Sequence, residues 1–121
     1  MPIVRILLGS VSREWKRKII EVVGSDHNLE IVGDVADPLD LLVQARERKT
    51  DVIVLSQLPD GGEPGICSHL LLEHPNMVLV LLPDPFGPDV LCRMVMQKEE
   101  TFGVTMEHLH AVLRRGRAPV S

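Results

Sequence analysis

The apolar residues of this chain fall into short runs that alternate with amphipathic, helix-like segments. Runs of strand length predict strands over 3–8, 29–35, 52–55 and 77–82, with a weaker fifth candidate over 101–104. Between the first two, Trp15, Ile19, Val22 and Val23 recur at the spacing of one helix face. Strands that alternate with helices through short loops predict βαβ units and a parallel sheet covered on both faces. Five strand–helix pairs suit a doubly wound domain of flavodoxin-like order.

Capping residues mark the ends of the predicted helices. Ser12 is suited to cap the first helix, and Gly24 suits its end. Asp37 followed by Pro38 predicts the start of the second helix, because proline is favoured at the first helical position. His74-Pro75 stops the third, and a last helix should run from about residue 106 to Gly116.

The segment 90–96 is apolar at every position except Arg93. We predict a fourth helix here, ending at or beyond residue 96. A surface helix on a sheet should present only one apolar stripe, so the surplus must be covered either by a partner or by the protein's own core. If a partner covers it, the interface residues are Val90, Leu91, Met94 and Val95. The pattern leaves both alternatives open.

Composition limits the classes of protein to which the chain can belong. Its 121 residues allow one domain, which we place at 1–116 with a flexible tail over 117–121. A net charge of -4 argues against direct nucleic-acid binding. No apolar run is long enough to span a membrane, and there is no signal-peptide pattern, so we expect a cytoplasmic protein. Cys67 and Cys92 form no CxxC pair and are interpreted as reduced, buried residues.

Several short segments also match a known family in order and spacing. They are VRILL at 4–8, LEIVGDVAD at 29–37, ARE at 45–47, DVIVL at 51–55 and LLEHPN at 71–76. Together they resemble the receiver domain of bacterial response regulators, most closely the subgroup with C-terminal helix-turn-helix output domains. The resemblance implies a flavodoxin-like parallel sheet of five strands in the order 2-1-3-4-5. The spacing near its end implies a short or irregular fifth strand.

The family transfers a phosphoryl group to an aspartate, and the residues for that chemistry are replaced here. The resemblance implies an acidic pair that holds Mg²⁺ after the first strand, where this chain has Ser10 and Val11. The acceptor position holds Ser56, and the hydroxyl position falls on Pro83, or on Leu82 if the strand is slipped by one. The region 101–104 offers no lysine. We interpret the chain as a degenerate, or pseudo-, receiver without catalytic residues, metal or cofactor.

Two functions from different classes follow from this interpretation. The leading hypothesis is a non-enzymatic signalling module that acts through contact with a protein partner or as a homodimer; the resemblance allows a separate DNA-binding output domain. The alternative is a flavodoxin-like binder of a small ligand, which would use the crevice at Gly9, Ser10, Ser56 and Pro83. An enzyme ranks last, because no nucleophile, base and orienting group can be assembled from the strand ends.

Overall fold

The described residues form one mixed sheet with helices on both faces. The computed structural model describes residues 3–57, 65–83, 91–95, 98–103 and 105–115. The elements are β1 (Val4–Gly9), α1 (Arg13–Gly24), β2 (Leu29–Val35), α2 (Pro38–Glu47), β3 (Val52–Ser56), α3 (Ile66–Glu73), β4 (Val78–Leu82), β5 (Leu91–Val95), β6 (Lys98–Phe102) and α4 (Met106–Arg115). The strand order is β2-β1-β3-β4-β5-β6. The predicted α/β class and the order 2-1-3-4-5 are confirmed.

The parallel part of the sheet comprises β2, β1, β3 and β4. The register of β1 on β2 shifts between Ile6 and Leu7, which pair with Ile31 and Gly33 and leave Val32 as the extra residue of a bulge. The Arg48 guanidinium donates a hydrogen bond to the Val32 carbonyl. An edge strand exposes unpaired backbone groups, and this contact satisfies one of them.

Two apolar layers cover the two faces of the sheet, because successive strand residues point to opposite sides. Ile6 and Leu8 belong to the layer that includes residues of α1 and α4. Leu7 belongs to the layer that includes residues of α2 and α3. Every residue of β4 is buried, as expected for a strand in the middle of a sheet that is covered on both sides.

The predicted fourth helix is wrong, because its core residues form the strand β5. Leu91 faces one apolar layer, whereas Cys92 and Met94 face the other. An apolar run without a polar side suits a strand that is buried on both faces, and periodicity alone does not separate such a strand from a buried helix segment. Residue 90 lies outside the described residues.

The last two strands also correct the prediction of a parallel sheet with five strands. β5 pairs antiparallel with β4, and β6 pairs antiparallel with β5. A parallel crossover needs about a dozen residues or more, and the segment 83–90 between β4 and β5 is shorter than that. The strand predicted at 101–104 corresponds to the end of β6, which is the sixth strand in the chain. The short or irregular fifth strand was predicted at 101–104, whereas the fifth strand is β5, which has five residues, as β3 and β4 do.

The predicted starts of α1 and α2 are confirmed by their caps. The Ser12 hydroxyl accepts a hydrogen bond from the Trp15 N–H at 3.4 Å. The Asp37 carboxylate accepts one from the Leu39 N–H at 2.8 Å, with Pro38 in the first turn. Both caps place a helix N-terminus directly after a strand that ends at the same edge of the sheet.

The last helix is attached to the sheet by apolar contacts and by one acidic residue. Leu109, Val112 and Leu113 are fully buried in the layer shared with α1. The carboxylate of Asp26, in the turn between α1 and β2, lies 2.9 Å from His110 Nε2 and 3.4 Å from Arg114 Nε. This ionic cluster connects two parts of the chain that are far apart in sequence.

Other predictions concern the thiols, membrane spans and the tail. Cys67 and Cys92 are buried, as predicted. Among the helices that the structure describes, none has the length and apolar character needed to cross a membrane. The predicted tail over 117–121 lies outside the described residues, and the extent of the domain stays a prediction.

Candidate functional site

A cleft opens where β1, β3 and β4 end, at the carboxyl edge of the parallel strands. Its volume is about 320 Å³, and its lining includes Ser10, Val11, Ser56 and Pro83. In open α/β sheets, ligands bind at this edge, at the point where the strand order reverses. In this sheet that point lies at β1, from which the chain proceeds to β2 on one side and to β3 on the other. The structure therefore brings Ser10, Val11, Ser56 and Pro83 into one cavity, whereas Gly9, also predicted for the crevice, is not part of the lining.

Ser10 has a strained backbone at the floor of the cleft. It is the one residue other than glycine with a positive φ, at 55°, in the described part of the chain. Its N–H donates to the Val35 carbonyl at 2.8 Å, and its own carbonyl accepts from the Ser56 hydroxyl at 3.4 Å. The loop after β1 is thus held between the ends of β2 and β3. Serine in this conformation costs energy, which the surrounding hydrogen bonds offset.

The end of β4 lies beside the end of β3. Leu82 pairs in register with Ser56, and its carbonyl accepts a hydrogen bond from the Gln57 N–H at 2.8 Å. Leu82 is fully buried, whereas Pro83 lines the cleft. Of the two residues that the sequence offered for the hydroxyl position, Pro83 is therefore the one that faces the cavity.

Sequence reasoning missed an ion pair in this cleft. Lys16 Nζ lies 2.5 Å from Asp34 Oδ2, and both side chains are partly exposed and line the cavity. Lys16 projects from the first turns of α1, and Asp34 is the last residue but one of β2. The missed signal was the end of β2, since only the ends of the other strands were searched for polar side chains.

Trp15 adds an aromatic surface to the lining of the cleft. The ammonium of Lys18 lies 4.7 Å from the centroid of its ring. A cation at this distance over an indole is an attractive contact, and it holds the ring in place. The described lining of the cleft therefore offers hydroxyl groups, one cation, one carboxylate and one indole ring.

The charges that the structure describes in the cleft do not suit a magnesium ion. Mg²⁺ takes oxygen ligands, usually with one or two carboxylates. Among the described residues that line the cavity, Asp34 provides the one carboxylate, and the Lys16 ammonium neutralises it. Within the described part of the chain there is no group of three or more His, Cys, Asp or Glu residues that could hold a metal.

Of the four candidate interface residues, the structure describes Leu91, Met94 and Val95, and these do not form an exposed surface. Leu91 is fully buried and Met94 is 8% exposed. Val95 is partly buried against the layer that contains α1 and α4. The protein's own core covers these apolar side chains. Of the two alternatives for this segment, cover by a partner or cover by the core, the structure favours the core.

The fold and the position of the cleft together define an α/β module with the strand order of receiver domains. Comparison with known proteins finds the DNA-binding transcriptional activator DevR/DosR of Mycobacterium tuberculosis (strain ATCC 25618 / H37Rv), which is 26% identical over 80 residues. The match covers 65% of this chain and 37% of the relative, so the chain spans only part of that protein's length. This weak similarity supports a relationship to the response-regulator family.

Two further comparisons give no match. No model of a protein family matches the chain. No solved structure matches it either.

Proposed function

We propose that this chain is a regulatory module that works without phosphotransfer and acts through contact with a protein partner or a second copy of itself. The similarity to a response regulator supports a role in signalling regulation. The observation that carries the finer proposal is the chemistry of the cleft. Ser56 ends β3, and the cleft carboxylate of Asp34 is engaged by Lys16 at 2.5 Å.

Phosphotransfer to a side chain at the end of β3 would require groups that neutralise the incoming charge. A serine hydroxyl is a weak nucleophile unless a base activates it. The described neighbour of the Ser56 hydroxyl is the backbone carbonyl of Ser10, which accepts its hydrogen bond and does not act as such a base. The geometry therefore favours a structural hydroxyl that ties β3 to the loop after β1.

The test is a titration of the intact chain with beryllofluoride and saturating Mg²⁺, followed by NMR. We expect no saturable change in the amide signals of Ser10, Ser56 and their neighbours. Incubation with acetyl phosphate and Mg²⁺ should leave the intact mass unchanged. A stoichiometric phosphoryl adduct, or a saturable shift centred on Ser56, would remove the proposal of a module without phosphotransfer.

The mode of action needs a separate experiment. Sedimentation velocity over a wide range of protein concentration reports self-association. A mass that rises to that of a dimer supports the second copy as partner, whereas a constant monomer mass leaves a different protein as the partner. Contact with other proteins is then tested by capture with cross-linking at defined surface positions.

A second candidate function is the binding of a small molecule in the cleft. The observation that favours it is the cavity itself, whose volume of about 320 Å³ lies within the range of ligand sites. Its polar groups converge from α1, β2 and β3. Ligand binding would stabilise the folded chain, so a rise in melting temperature with added metabolite tests this candidate.

A further inference from the structure

We infer that the cleft at the ends of β1, β2 and β3 is a site for a nucleoside monophosphate, whose phosphate Lys16 binds and whose ribose Asp34 recognises. This inference rests on the second candidate function, small-ligand binding, and names its ligand class. It does not depend on whether the chain accepts a phosphoryl group. A cation, a carboxylate and an indole lie around one cavity and together carry the inference.

The phosphate end of the site is defined by Lys16. An ammonium group carries three N–H donors, and Asp34 uses one of them in the contact at 2.5 Å. The remaining donors can bind phosphate oxygens without breaking the ion pair. Ser12, which caps α1, also lines the cleft, so a phosphate beside Lys16 lies near the N-terminus of this helix, where the free N–H groups favour an anion.

The ribose end of the site is defined by Asp34. In doubly wound nucleotide-binding folds, a carboxylate near the end of the second strand accepts hydrogen bonds from ribose hydroxyls, while the phosphate lies at the first helix. Asp34 is at the corresponding place in β2, one residue before its end. Lys16 contacts Oδ2, which leaves Oδ1 able to accept from a sugar hydroxyl.

The size of the cavity and its single indole limit the ligand to one nucleotide. A volume of about 320 Å³ is near the lower end of the range for small-molecule sites. A dinucleotide would not fit completely inside it. Trp15 supplies an aromatic surface against which a base can pack. Small side chains at Ser10, Ala36 and Ser56 leave the middle of the cleft open.

The experiment measures binding of AMP to the intact chain by calorimetry, with 2′-deoxy-AMP, adenosine and ribose 5-phosphate as matched probes. We expect AMP to bind with one-to-one stoichiometry and each other probe to bind at least about tenfold more weakly, because each lacks a recognised group. Lys16→Met should weaken AMP at least about tenfold and adenosine much less, because it removes a charged phosphate contact.

Asp34→Asn provides the sharper test, since it should reduce the preference of the chain for AMP over 2′-deoxy-AMP. The matched control is the ion pair between Arg46 and Glu73, whose guanidinium nitrogen and carboxylate oxygen lie 3.0 Å apart. It joins the last turns of α2 and α3 at the opposite edge of the sheet. Arg46→Met and Glu73→Gln should leave AMP binding unchanged. Circular dichroism confirms that each variant is folded before its affinity is compared.

The outcomes separate this inference from the functions on which it builds. Absence of AMP binding, or binding that Lys16→Met and Asp34→Asn leave unchanged, overturns the nucleotide site. Equal affinity for AMP and ribose 5-phosphate also overturns it, because the base then contributes nothing. If another metabolite stabilises the chain while AMP does not, the inference fails but small-ligand binding survives. A phosphoryl adduct at Ser56 would bear only on the regulatory proposal.

Discussion

Asp26 is the side chain through which the turn after α1 holds the last helix. Its carboxylate is 8% exposed and accepts from the Asn28 N–H at 2.9 Å, beside its contacts with His110 and Arg114. The hydrogen bond from His110 contributes most to holding the pKa of Asp26 below its ordinary value of 3.8, and the Asn28 N–H and Arg114 lower this pKa further.

The lowered pKa predicts how stability depends on pH. A carboxyl group whose pKa is lower in the folded than in the unfolded state contributes stability above its unfolded value, and this contribution is lost as the pH falls through the folded value. The free energy of unfolding should therefore fall more steeply for the native chain than for Asp26→Asn from about pH 5 down to about pH 2. Urea unfolding at several pH values measures this difference.

The control for this prediction is Glu73→Gln, which removes a carboxylate that is 38% exposed. An exposed ion pair contributes at most about 1 kcal/mol, so this variant should follow the pH dependence of the native chain closely. If the curves for the native chain and Asp26→Asn run parallel, the ionic cluster around Asp26 does not stabilise the attachment of α4.

Gly9 ends β1 in a tightly packed position and directly precedes the cleft residue Ser10. A Cβ atom added there would lie 2.7 Å from Leu55 Cδ2 and 2.8 Å from Leu41 Cδ2. We expect Gly9→Ala to lower the free energy of unfolding by about 1–3 kcal/mol through overpacking. Chemical denaturation measures the loss.

Gly24 is the matched control for Gly9. It ends α1, and a Cβ atom added there would meet nothing within 4 Å. Gly24→Ala should be neutral or should stabilise by up to about 1 kcal/mol, because alanine loses less backbone freedom on folding. An equal effect of the two substitutions would show that packing around Gly9 does not explain the cost.

At the scale of elements, the decisive feature is the pair of antiparallel strands that follows β4. β5 carries Arg93 at 4% exposure between two buried apolar neighbours, and the register places it opposite Val80 and Glu100. A charged residue in such a position is costly to bury unless it is paired. The other residues of β5 complete both apolar layers, with Leu91 in one and Cys92 and Met94 in the other.

The substitution Leu91→Ala tests the location of β5 in the core. We expect it to lower the free energy of unfolding by about 2–5 kcal/mol, because it removes buried methyl groups and leaves a cavity. Met94→Glu should destabilise as well, since it buries an unpaired charge. Thermal melting measures both effects, and sedimentation should show an unchanged association state.

The control for β5 is Leu39→Ala on α2, where the side chain is 71% exposed. Removing this side chain should change stability by less than about 0.5 kcal/mol. If Leu91→Ala folds with an unchanged melting temperature but associates more weakly than the native chain, this segment forms an interface and not part of the core.

At the scale of the whole molecule, the cleft depends on several elements at once. Its lining comes from the loop after β1, the first turns of α1, the end of β2 and the ends of β3 and β4. Phosphotransfer needs a metal, an acceptor and a cation in one geometry, so under the proposal above a change at one position should not be enough to support it. Because these groups come from distant segments, a single substitution shows what one group contributes by itself.

Ser56→Asp should therefore remain unphosphorylated by acetyl phosphate with Mg²⁺. The variant places a carboxylate at the end of β3, but it adds no metal ligands at Ser10 and Val11 and leaves Pro83 in place. Intact mass spectrometry measures the result, with the unsubstituted chain in parallel. Efficient phosphorylation of this single variant would show that the alignment with receiver domains is displaced and that the cleft has been assigned incorrectly.

Part of the cleft was predictable because strand ends can be read from single residues. Ser10, Ser56 and Pro83 directly follow or end apolar runs, so a parallel sheet must bring them to one edge. The contact between Lys16 and Asp34 was not predictable in this way. It depends on the rotation of α1 over the sheet and on the bulge in β2, and both are set by packing between distant segments.

The resemblance to receiver domains implied the strand order. The sequence by itself determined the strands of the parallel half of the sheet and the caps of α1 and α2. These follow from local patterns: buried runs with a fixed alternation, a serine or aspartate before a helix, and proline in the first turn. Only the tertiary structure decided that residues 91–95 form a strand and that the chain reverses before it. A short segment that is apolar except for Arg93 satisfies a buried helix and a buried strand equally well. The segment forms a strand because the edge of β4 offers hydrogen-bonding groups that only another strand can satisfy.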